Sequence, residues 1–175
     1  MTVPLYLIQT LISGNKIATV ANNIGINIVM STIKATTSSI SSLIGYIITD
    51  TSNDMDHIIK FLKTIDLQFT VVTMQSFINE QKIEDVPKSI SNALHGVSEI
   101  LTTINDDLQS IKTEYDSHKS KYFSAYRTFS WSGSIEMIKN HNDILKHRHN
   151  ILFELLKIYK SCGNKVEHTG NRIEN

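Results

Sequence analysis

Four histidines in the C-terminal half of the chain have the chemistry to bind a metal ion. His141, His147 and His149 fall on one predicted helix, and His118 falls on the helix before it. Two ligands on one helix face are usually three or four residues apart, and no pair among the first three has that spacing. A His-Glu-Xaa-Xaa-His sequence is also absent. The sequence therefore predicts no metal site and no bound cofactor.

Cys162 is the only cysteine and the natural candidate for a nucleophile. Its basic neighbours Lys160, Lys165 and His168 lie near the end of a predicted helix, where no structure would hold a base beside the thiol. The chain has no glycine-rich phosphate loop and no Gly-Xaa-Ser-Xaa-Gly sequence. We therefore expect a protein that is not an enzyme and has no small-molecule substrate.

The last predicted helix is rich in basic residues, as is a surface that contacts phosphates. Asp143 and Glu154 interrupt the basic run, and the preceding helix is acidic, so pairing within the protein competes with nucleic-acid binding. The sequence therefore disfavours nucleic acid as a partner. The basic residues are Lys139, Lys146, His147, Arg148, His149, Lys157 and Lys160.

An aromatic cluster between positions 122 and 131 is the candidate partner-binding site. Aromatic and arginine side chains bury a large area at low cost in conformational entropy, so they dominate binding hot spots. The alternative interpretation is a plug that closes one end of a helical bundle. The candidate residues are Tyr122, Phe123, Tyr126, Arg127, Phe129 and Trp131.

A long amphipathic helix that begins near Pro87 and continues to about Phe129 would carry this cluster. Its apolar positions recur in steps of four and three, the repeat of a helix that packs one face against partner helices. Charged residues such as Glu99, Asp106 and Lys112 lie off this face. The apolar face consists of Ile90, Leu94, Val97, Leu101, Ile104, Leu108, Ile111, Tyr115, His118 and Tyr122.

The last helix is predicted to follow a turn at Trp131–Ser134, with Ser134 as its N-cap and Gly163 at its end. Leu155 and Tyr159 share its apolar face with the isoleucines and leucines of the same helix. That face consists of Ile138, Leu145, Leu152, Leu155 and Tyr159, broadened by Ile144, Ile151, Leu156 and Ile158.

The two long helices are predicted to form an antiparallel hairpin folded at Trp131. This pairing places Leu108 near Leu155 and Tyr115 near Arg148, and it lays an acidic helix beside a basic one. The acidic residues are Asp106, Asp107, Glu114 and Asp116, and the basic residues are Lys146, Arg148, Lys157 and Lys160.

The segment from Lys16 to Ile48 contains no acidic residue, and its polar residues recur at helical spacing. We predict a helix that begins after a break at Gly14 and Asn15, and the run Thr36–Ser39 leaves open whether it is split in two. Helices that are buried on all sides carry few charged residues, so this composition favours a place for the segment in the bundle core. The alternative is a membrane-active segment, 16–48, although it lacks about 18 consecutive apolar residues.

Residues 54–80 are predicted to form either one kinked helix or two short helices. Thr51 to Asp54 is a favourable helix start, and Asp66 would cap a second segment. In that second segment, one face carries Leu67, Val71, Met74 and Ile78.

The sequence as a whole predicts an all-α fold, an antiparallel bundle of four to six helices built around a coiled-coil-like hairpin over residues 87–161. Its 175 residues suit one domain, which we place at 1–163, followed by a disordered polar tail at 164–175. Lysine and arginine number 17, as do aspartate and glutamate, so net charge favours no class of partner. With a single cysteine and no basic leader, we expect a cytoplasmic protein.

Two stretches of the chain resemble known viral sequences. They are Asp-Met-Asp-His-Ile-Ile-Lys-Phe-Leu-Lys-Thr-Ile-Asp at 54–66 and His-Lys-Ser-Lys-Tyr-Phe-Ser-Ala-Tyr-Arg at 118–127, separated by the long helix. Across about residues 50–160 the chain is similar to uncharacterised helical proteins of mimivirus-like giant DNA viruses. The resemblance implies a virus-encoded protein of the host cytoplasm or the virion, and it assigns no functional residue.

The function that these observations favour is that of a non-enzymatic interaction or structural protein. Sustained heptads and the lack of a catalytic set support a protein partner or self-association. A membrane surface, contacted through residues 16–48, is the alternative.

Overall fold

The chain folds into five α-helices in the computed structural model, which describes the backbone of residues 5–81, 86–120 and 131–169 and the side chains of 25–52, 54–81, 86–120 and 131–161. The helices are α1 (Leu5–Thr49), α2 (Asn53–Ile65), α3 (Leu67–Glu80), α4 (Lys88–Lys119) and α5 (Ser132–Thr169). The described residues contain no strand. The prediction of an all-α bundle of four to six helices is therefore confirmed.

The five helices occupy four positions in a bundle, because α2 and α3 follow each other along one of them. Tyr46 of α1 contacts Asp116 of α4, and Asp50, the residue after α1, contacts Lys119 of α4. Because these contacts follow the same order along both helices, α1 and α4 run parallel. α5 runs antiparallel to α4, and α2 with α3 runs back along α1. α1 and α4 pack against each other, and α2–α3 and α5 complete the bundle.

Four layers of large side chains recur every seven residues through the bundle core. The contacts between α1, α4 and α5 set the register, and all members of these layers are buried. That register places together Ile26–Leu94–Leu152, Ile33–Leu101–Leu145, Ile40–Leu108–Ile138 and Ile47–Tyr115–Trp131. α2 and α3 add Met55, Ile58, Leu62, Leu67, Val71, Met74 and Ile78 to the same core.

α1 is one continuous helix, so the predicted break at Gly14 and Asn15 is wrong, as is a split at Thr36–Ser39. A glycine inside a helix costs only about 1 kcal/mol, which does not end a helix of 45 residues. Thr37 stays in the helix because its hydroxyl donates to the carbonyl oxygen of Ile33 at 2.9 Å. From residue 25 onward, one face of α1 lies in the core and the other is exposed.

Asp66 separates α2 from α3, which settles the alternative between one helix and two. Its backbone adopts the left-handed conformation, with φ 55° and ψ 38°. An aspartate adopts this conformation more readily than most residues, and it ends α2 and begins α3 in one step. The predicted face of α3, Leu67 to Ile78, is buried.

The register predicted for the α4–α5 hairpin is wrong. Arg148 contacts Gly96, about five helical turns or 28 Å from Tyr115, its predicted neighbour. Leu108 lies in a layer with Ile138 rather than with Leu155. The cause is the position of the turn: Trp131 already packs against Tyr115, so the chain reverses before Trp131 and not at it.

Both ends of α5 differ from the predicted ends. The helix begins at Ser132 rather than Ser134, since the carbonyl oxygen of Trp131 accepts the first helical hydrogen bond from Ile135 at 2.9 Å. It also continues through Gly163 to Thr169, so residues 164–169 of the predicted tail are helical. No proline follows Gly163, and one glycine costs too little to end the helix.

α4 is described up to Lys119, with Ser120 at its C-cap. The predicted continuation to Phe129 and the connection 121–130 lie outside the described residues. All nine members of the predicted apolar face from Ile90 to His118 are buried, so this face is confirmed.

Candidate functional site

A polar network joins α1, α2 and α4 at the end of the bundle where α4 ends and α5 begins. Asp50 is at its centre, with a side chain only 13% exposed. Its Oδ1 accepts hydrogen bonds from the Ser52 backbone N–H at 2.8 Å and from Tyr115 Oη at 3.1 Å. Its Oδ2 accepts a hydrogen bond from Lys119 Nζ at 3.2 Å. Every oxygen of this carboxylate is therefore satisfied.

These contacts determine the ionisation of the network. Burial raises the pKa of the Asp50 carboxyl, but hydrogen bonds from Ser52, Lys119 and Tyr115 outweigh it and bring the pKa to about 2. The hydrogen bond to Asp50 raises the pKa of Lys119, whose ammonium also lies 4.9 Å from the centre of the Tyr115 ring. Ser52 Oγ and Tyr115 Oη are hydrogen-bonded to each other.

A second network lies one turn back on α1. Tyr46 Oη donates to Asp116 Oδ1 at 2.5 Å, and Lys112 Nζ donates to Asp116 Oδ2 at 2.6 Å. The Lys112 hydrogen bond, followed by that of Tyr46, lowers the pKa of the Asp116 carboxyl. Both networks connect α4 with α1 and its C-terminal end.

We expect Asp50→Asn to reduce the acid sensitivity of the fold. The pKa of Asp50 in the folded chain lies below its ordinary value of 3.8, so the ionised carboxylate stabilises the fold above about pH 4. That stabilisation, about 1 kcal/mol after solvent screening, disappears as the pH falls through 4 toward 2.

Urea unfolding at pH 6 and pH 2.5 measures this contribution. The wild-type protein should lose about 1 kcal/mol more between the two pH values than Asp50→Asn does. Asp56→Asn, which removes an exposed carboxylate from α2, is the control for the loss of one negative charge. Equal losses in the wild type and Asp50→Asn would show that Asp50 does not carry the effect.

Five of the six predicted partner-binding residues, Tyr122 to Phe129, lie outside the described residues. Trp131 is described, and it is 3% exposed. Its Nε1 donates to the carbonyl oxygen of Asp54 at 2.6 Å, and its ring centre lies 6.2 Å from that of Tyr115. Trp131 thus closes the end of the core, the position that the alternative interpretation as a plug gives it. Binding of a partner by the other five residues stays a prediction.

The structure separates the four histidines rather than gathering them. His118 is buried with Nε2 3.7 Å from Asp54 Oδ2, and His141 Nδ1 lies 2.6 Å from Asp107 Oδ2. His149 is half-buried against the edge of Phe77, and burial lowers its pKa. Within the described side chains, no three His, Cys, Asp or Glu residues lie close enough to hold a metal ion.

Most basic residues of α5 contact other parts of the bundle, but not the predicted acidic partners. Lys146 Nζ donates to the carbonyl oxygen of Ile65 at 3.3 Å, and Lys160 Nζ donates to Gln81 Oε1 at 2.6 Å. Arg148 donates to the carbonyl oxygen of Gly96 and lies 3.4 Å from Glu99. Because the register differs, the predicted pairing of Asp106, Asp107, Glu114 and Asp116 with the lysines and arginine of α5 is wrong.

An apolar row on the surface of α5 is the feature that sequence reasoning missed. Met137, Ile151 and Ile158 are 49%, 45% and 59% exposed, and Ile144 between them is half-buried. We call these four residues the outer row. Apart from Met137, they were predicted to broaden the buried face. Ile144 is partly buried and packs against the core, whereas Ile151 and Ile158 are exposed beyond the buried row of Ile138, Leu145 and Leu152.

The outer row lies beside α4, on the side of α5 that faces away from α2 and α3. His141 and Arg148, each one turn beyond a member of the row, contact Asp107 and Gly96 of α4. Lys146, Phe153 and Lys160 face α2 and α3 instead. The outer row therefore runs along α5 next to α4.

The signal for this row was present in the sequence as a constant step of seven residues. A helix with two apolar rows, each repeating every seven residues and displaced by one position, has more apolar surface than one partner helix covers. Prediction merged the two rows into one broad face. Only the position of α4 and of α2–α3 around α5 shows which row is covered.

Comparison of the chain with protein-family models, curated proteins and solved structures found no match. Over the described residues, none of the helices has a stretch sufficiently long and apolar to cross a membrane. Within the described residues, the fold is a bundle of five helices, and α5 carries the partly exposed apolar outer row.

Proposed function

We propose that this protein is a non-enzymatic structural or interaction protein that self-associates through the outer row of α5. The observation that carries the proposal is the spacing of Met137, Ile144, Ile151 and Ile158. Isolated exposed apolar residues are common on protein surfaces, but a row at heptad spacing is the pattern of a helix that packs on another helix. The resemblance to giant-virus proteins fits a part in a virion or host-cell assembly.

The neighbours of the outer row support a contact with another helix. Gly96 of α4 has no side chain, and the Arg148 side chain of α5 occupies the space beside its backbone. Glu99 and Glu154 are exposed on either side of the row, with side chains 74% and 60% exposed. An apolar centre with a charged rim is the usual organisation of a protein–protein interface.

The burial of α1 disfavours the alternative proposal, in which the segment 16–48 contacts a membrane. Residues 25–48 supply Ile26, Ile33, Ile40 and Ile47 to the core layers, so this part of the segment 16–48 cannot present its most apolar face to lipid without opening the bundle. The exposed face of the same residues carries mostly serine and threonine.

The test is the mass of the protein by light scattering at high concentration. We expect the wild type to exceed the mass of one chain and Ile151→Lys to have the mass of one chain, because a lysine in the row leaves a charge buried in the contact. Asn150→Lys adds the same charge one residue away, outside the row, and should behave as the wild type.

Phe69→Lys controls for general hydrophobic adhesion, since Phe69 is 64% exposed and belongs to α3, not to the helix that carries the outer row. It should also retain the wild-type mass. If Phe69→Lys rather than Ile151→Lys abolishes association, another surface makes the contact. Far-UV circular dichroism of each variant confirms that the fold is retained.

A further inference from the structure

An apolar groove lies between the end of α3 and the side of α5 that faces α3. We infer that this groove binds an amphiphilic carboxylate, such as a fatty acid of medium chain length, with the apolar chain against two phenylalanine rings and the carboxylate at two lysines. The inference does not depend on self-association through the outer row. The groove is lined by Phe77, Gln81, Phe153, Leu156, Lys157 and Lys160.

Three apolar side chains form one end of the groove. Leu156 is buried, and Phe153 is 43% exposed. The ring centre of Phe153 lies 5.5 Å from that of Phe77. The groove encloses a volume of about 200 Å³. An apolar cavity of about 150 Å³ is enough to bind benzene, so this volume admits the apolar part of a small ligand.

The dimensions of the groove favour a small amphiphile of medium length. From Phe153 to Lys160 it extends about 10 Å along α5. With carbon–carbon bonds of about 1.5 Å, an extended chain of eight carbons is about 9 Å long. A chain that lies on the two rings therefore ends beside Lys160. Protein partners usually cover about 800 Å² of a surface, whereas small ligands occupy concave apolar sites with a few polar groups.

The other end of the groove is positively charged. Two of its six lining residues are lysines, and none is acidic. Lys160 Nζ donates to Gln81 Oε1 at 2.6 Å, a neutral acceptor that does not compensate the ammonium charge. Lys157 Nζ lies 3.7 Å from Glu154 Oε2, but these side chains are 65% and 60% exposed, and such a pair is weak. A bound carboxylate would therefore meet two ammonium groups.

Gln81 fixes the position of one of these ammonium groups. Its backbone N–H donates to the carbonyl oxygen of Ile78 at 3.2 Å, and its Nε2 donates to the carbonyl oxygen of Phe77 at 3.1 Å. Its side chain is thus held against the last turn of α3, with Oε1 at Lys160. His149 contacts Phe77 but adds no charge at pH 7, because burial lowers its pKa.

Isothermal titration calorimetry of the full chain with octanoate tests the inference, and octan-1-ol is the uncharged ligand with the same chain length. We expect octanoate to bind with a dissociation constant below about one millimolar and with a negative change in heat capacity, the mark of apolar burial. Octan-1-ol should bind at least about fivefold more weakly, because it forms no ion pair with the lysines.

Two double variants test the charged end of the groove. Lys157→Gln combined with Lys160→Gln should weaken octanoate binding at least about fivefold and leave octan-1-ol binding unchanged. Lys34→Gln combined with Lys139→Gln removes two exposed lysines from outside the groove and should bind octanoate as the wild type does. Octanoate binding that both double variants retain in full would overturn the inference.

Phe153→Ala tests the apolar end. It should weaken the binding of both ligands at least about fivefold, because the chain loses the ring on which it lies. Phe69→Ala removes an exposed ring from another part of α3 and should leave both affinities unchanged. No octanoate binding by the wild type, equal binding of octanoate and octan-1-ol, or unchanged binding by Phe153→Ala would each overturn the inference. Ile151→Lys should bind octanoate as the wild type does, so this test is separate from that of self-association.

Discussion

Trp131→Ala should lower the free energy of unfolding by about 4 kcal/mol, the largest effect that we expect from a single substitution. Trp131 is almost completely buried, packs against Tyr115 and bonds the first turn of α2 through its indole N–H. Alanine leaves a cavity of nearly the whole indole and removes the hydrogen bond from the indole N–H to the Asp54 carbonyl oxygen. Urea unfolding followed by far-UV circular dichroism measures the loss without relying on tryptophan fluorescence.

Trp131→Phe separates the two contributions. A phenyl ring fills most of the site but donates no hydrogen bond, so we expect a loss of about 1 to 2 kcal/mol. Phe69→Ala removes an exposed aromatic ring from α3 and should change stability by less than about 0.5 kcal/mol. If Trp131→Ala were as stable as the wild type, Trp131 would not close the core, and its candidacy as a partner-binding residue would gain weight.

Leu101→Ala should cost about 3 kcal/mol, because Leu101 is fully buried at the middle of α4 in a layer with Ile33 and Leu145. Combined with Leu145→Ala, the loss should be non-additive by about 1 kcal/mol, since the second substitution enlarges an existing cavity. Urea unfolding of the two single variants and the double variant measures the coupling.

The control pair is Leu101→Ala with Leu156→Ala. Leu156 is also buried on α5, but the observed register places it about 16 Å along the helix from Leu145. These two losses should add within about 0.5 kcal/mol. Coupling between Leu101 and Leu156, with none between Leu101 and Leu145, would contradict the register of the α4–α5 pair.

The sequence was sufficient to predict which face of α4 is buried, because a single row of apolar residues at four-three spacing has one interpretation. From Ile90 to His118, every residue of the predicted face is buried, and Ile100 is the one buried residue that the prediction left out. The prediction for α3 from Leu67 to Ile78 succeeded for the same reason. The sequence indicates Asp66 as a possible helix boundary, but only its left-handed backbone conformation shows that the helix is interrupted there.

The register of the hairpin was not predictable from the same pattern. A heptad repeat is compatible with any shift of seven residues, so the position of the turn decides the pairing. Ser132 and Ser134 are both plausible first-turn residues, and placing the turn at Trp131 rather than before it displaced α5 by more than two heptads. The charge pattern did not correct this error, because Lys146, Arg148 and Lys160 bind carbonyl and amide oxygens instead of the predicted carboxylates.

The outer row was visible in the sequence but not interpretable there. Ile144, Ile151 and Ile158 are as apolar as the buried Leu145 and Leu152, and nothing local distinguishes them. Their exposure follows from how many helices surround α5, which is a property of the whole bundle. A functional surface of this kind therefore requires the tertiary structure before it can be recognised.

Sedimentation equilibrium of the wild-type protein, over concentrations from about one micromolar to one millimolar, tests the central claim most directly. Self-association through the outer row predicts an average mass that rises from one chain toward two across this range, with a two-state monomer–dimer fit. A mass of one chain at every concentration would contradict the account.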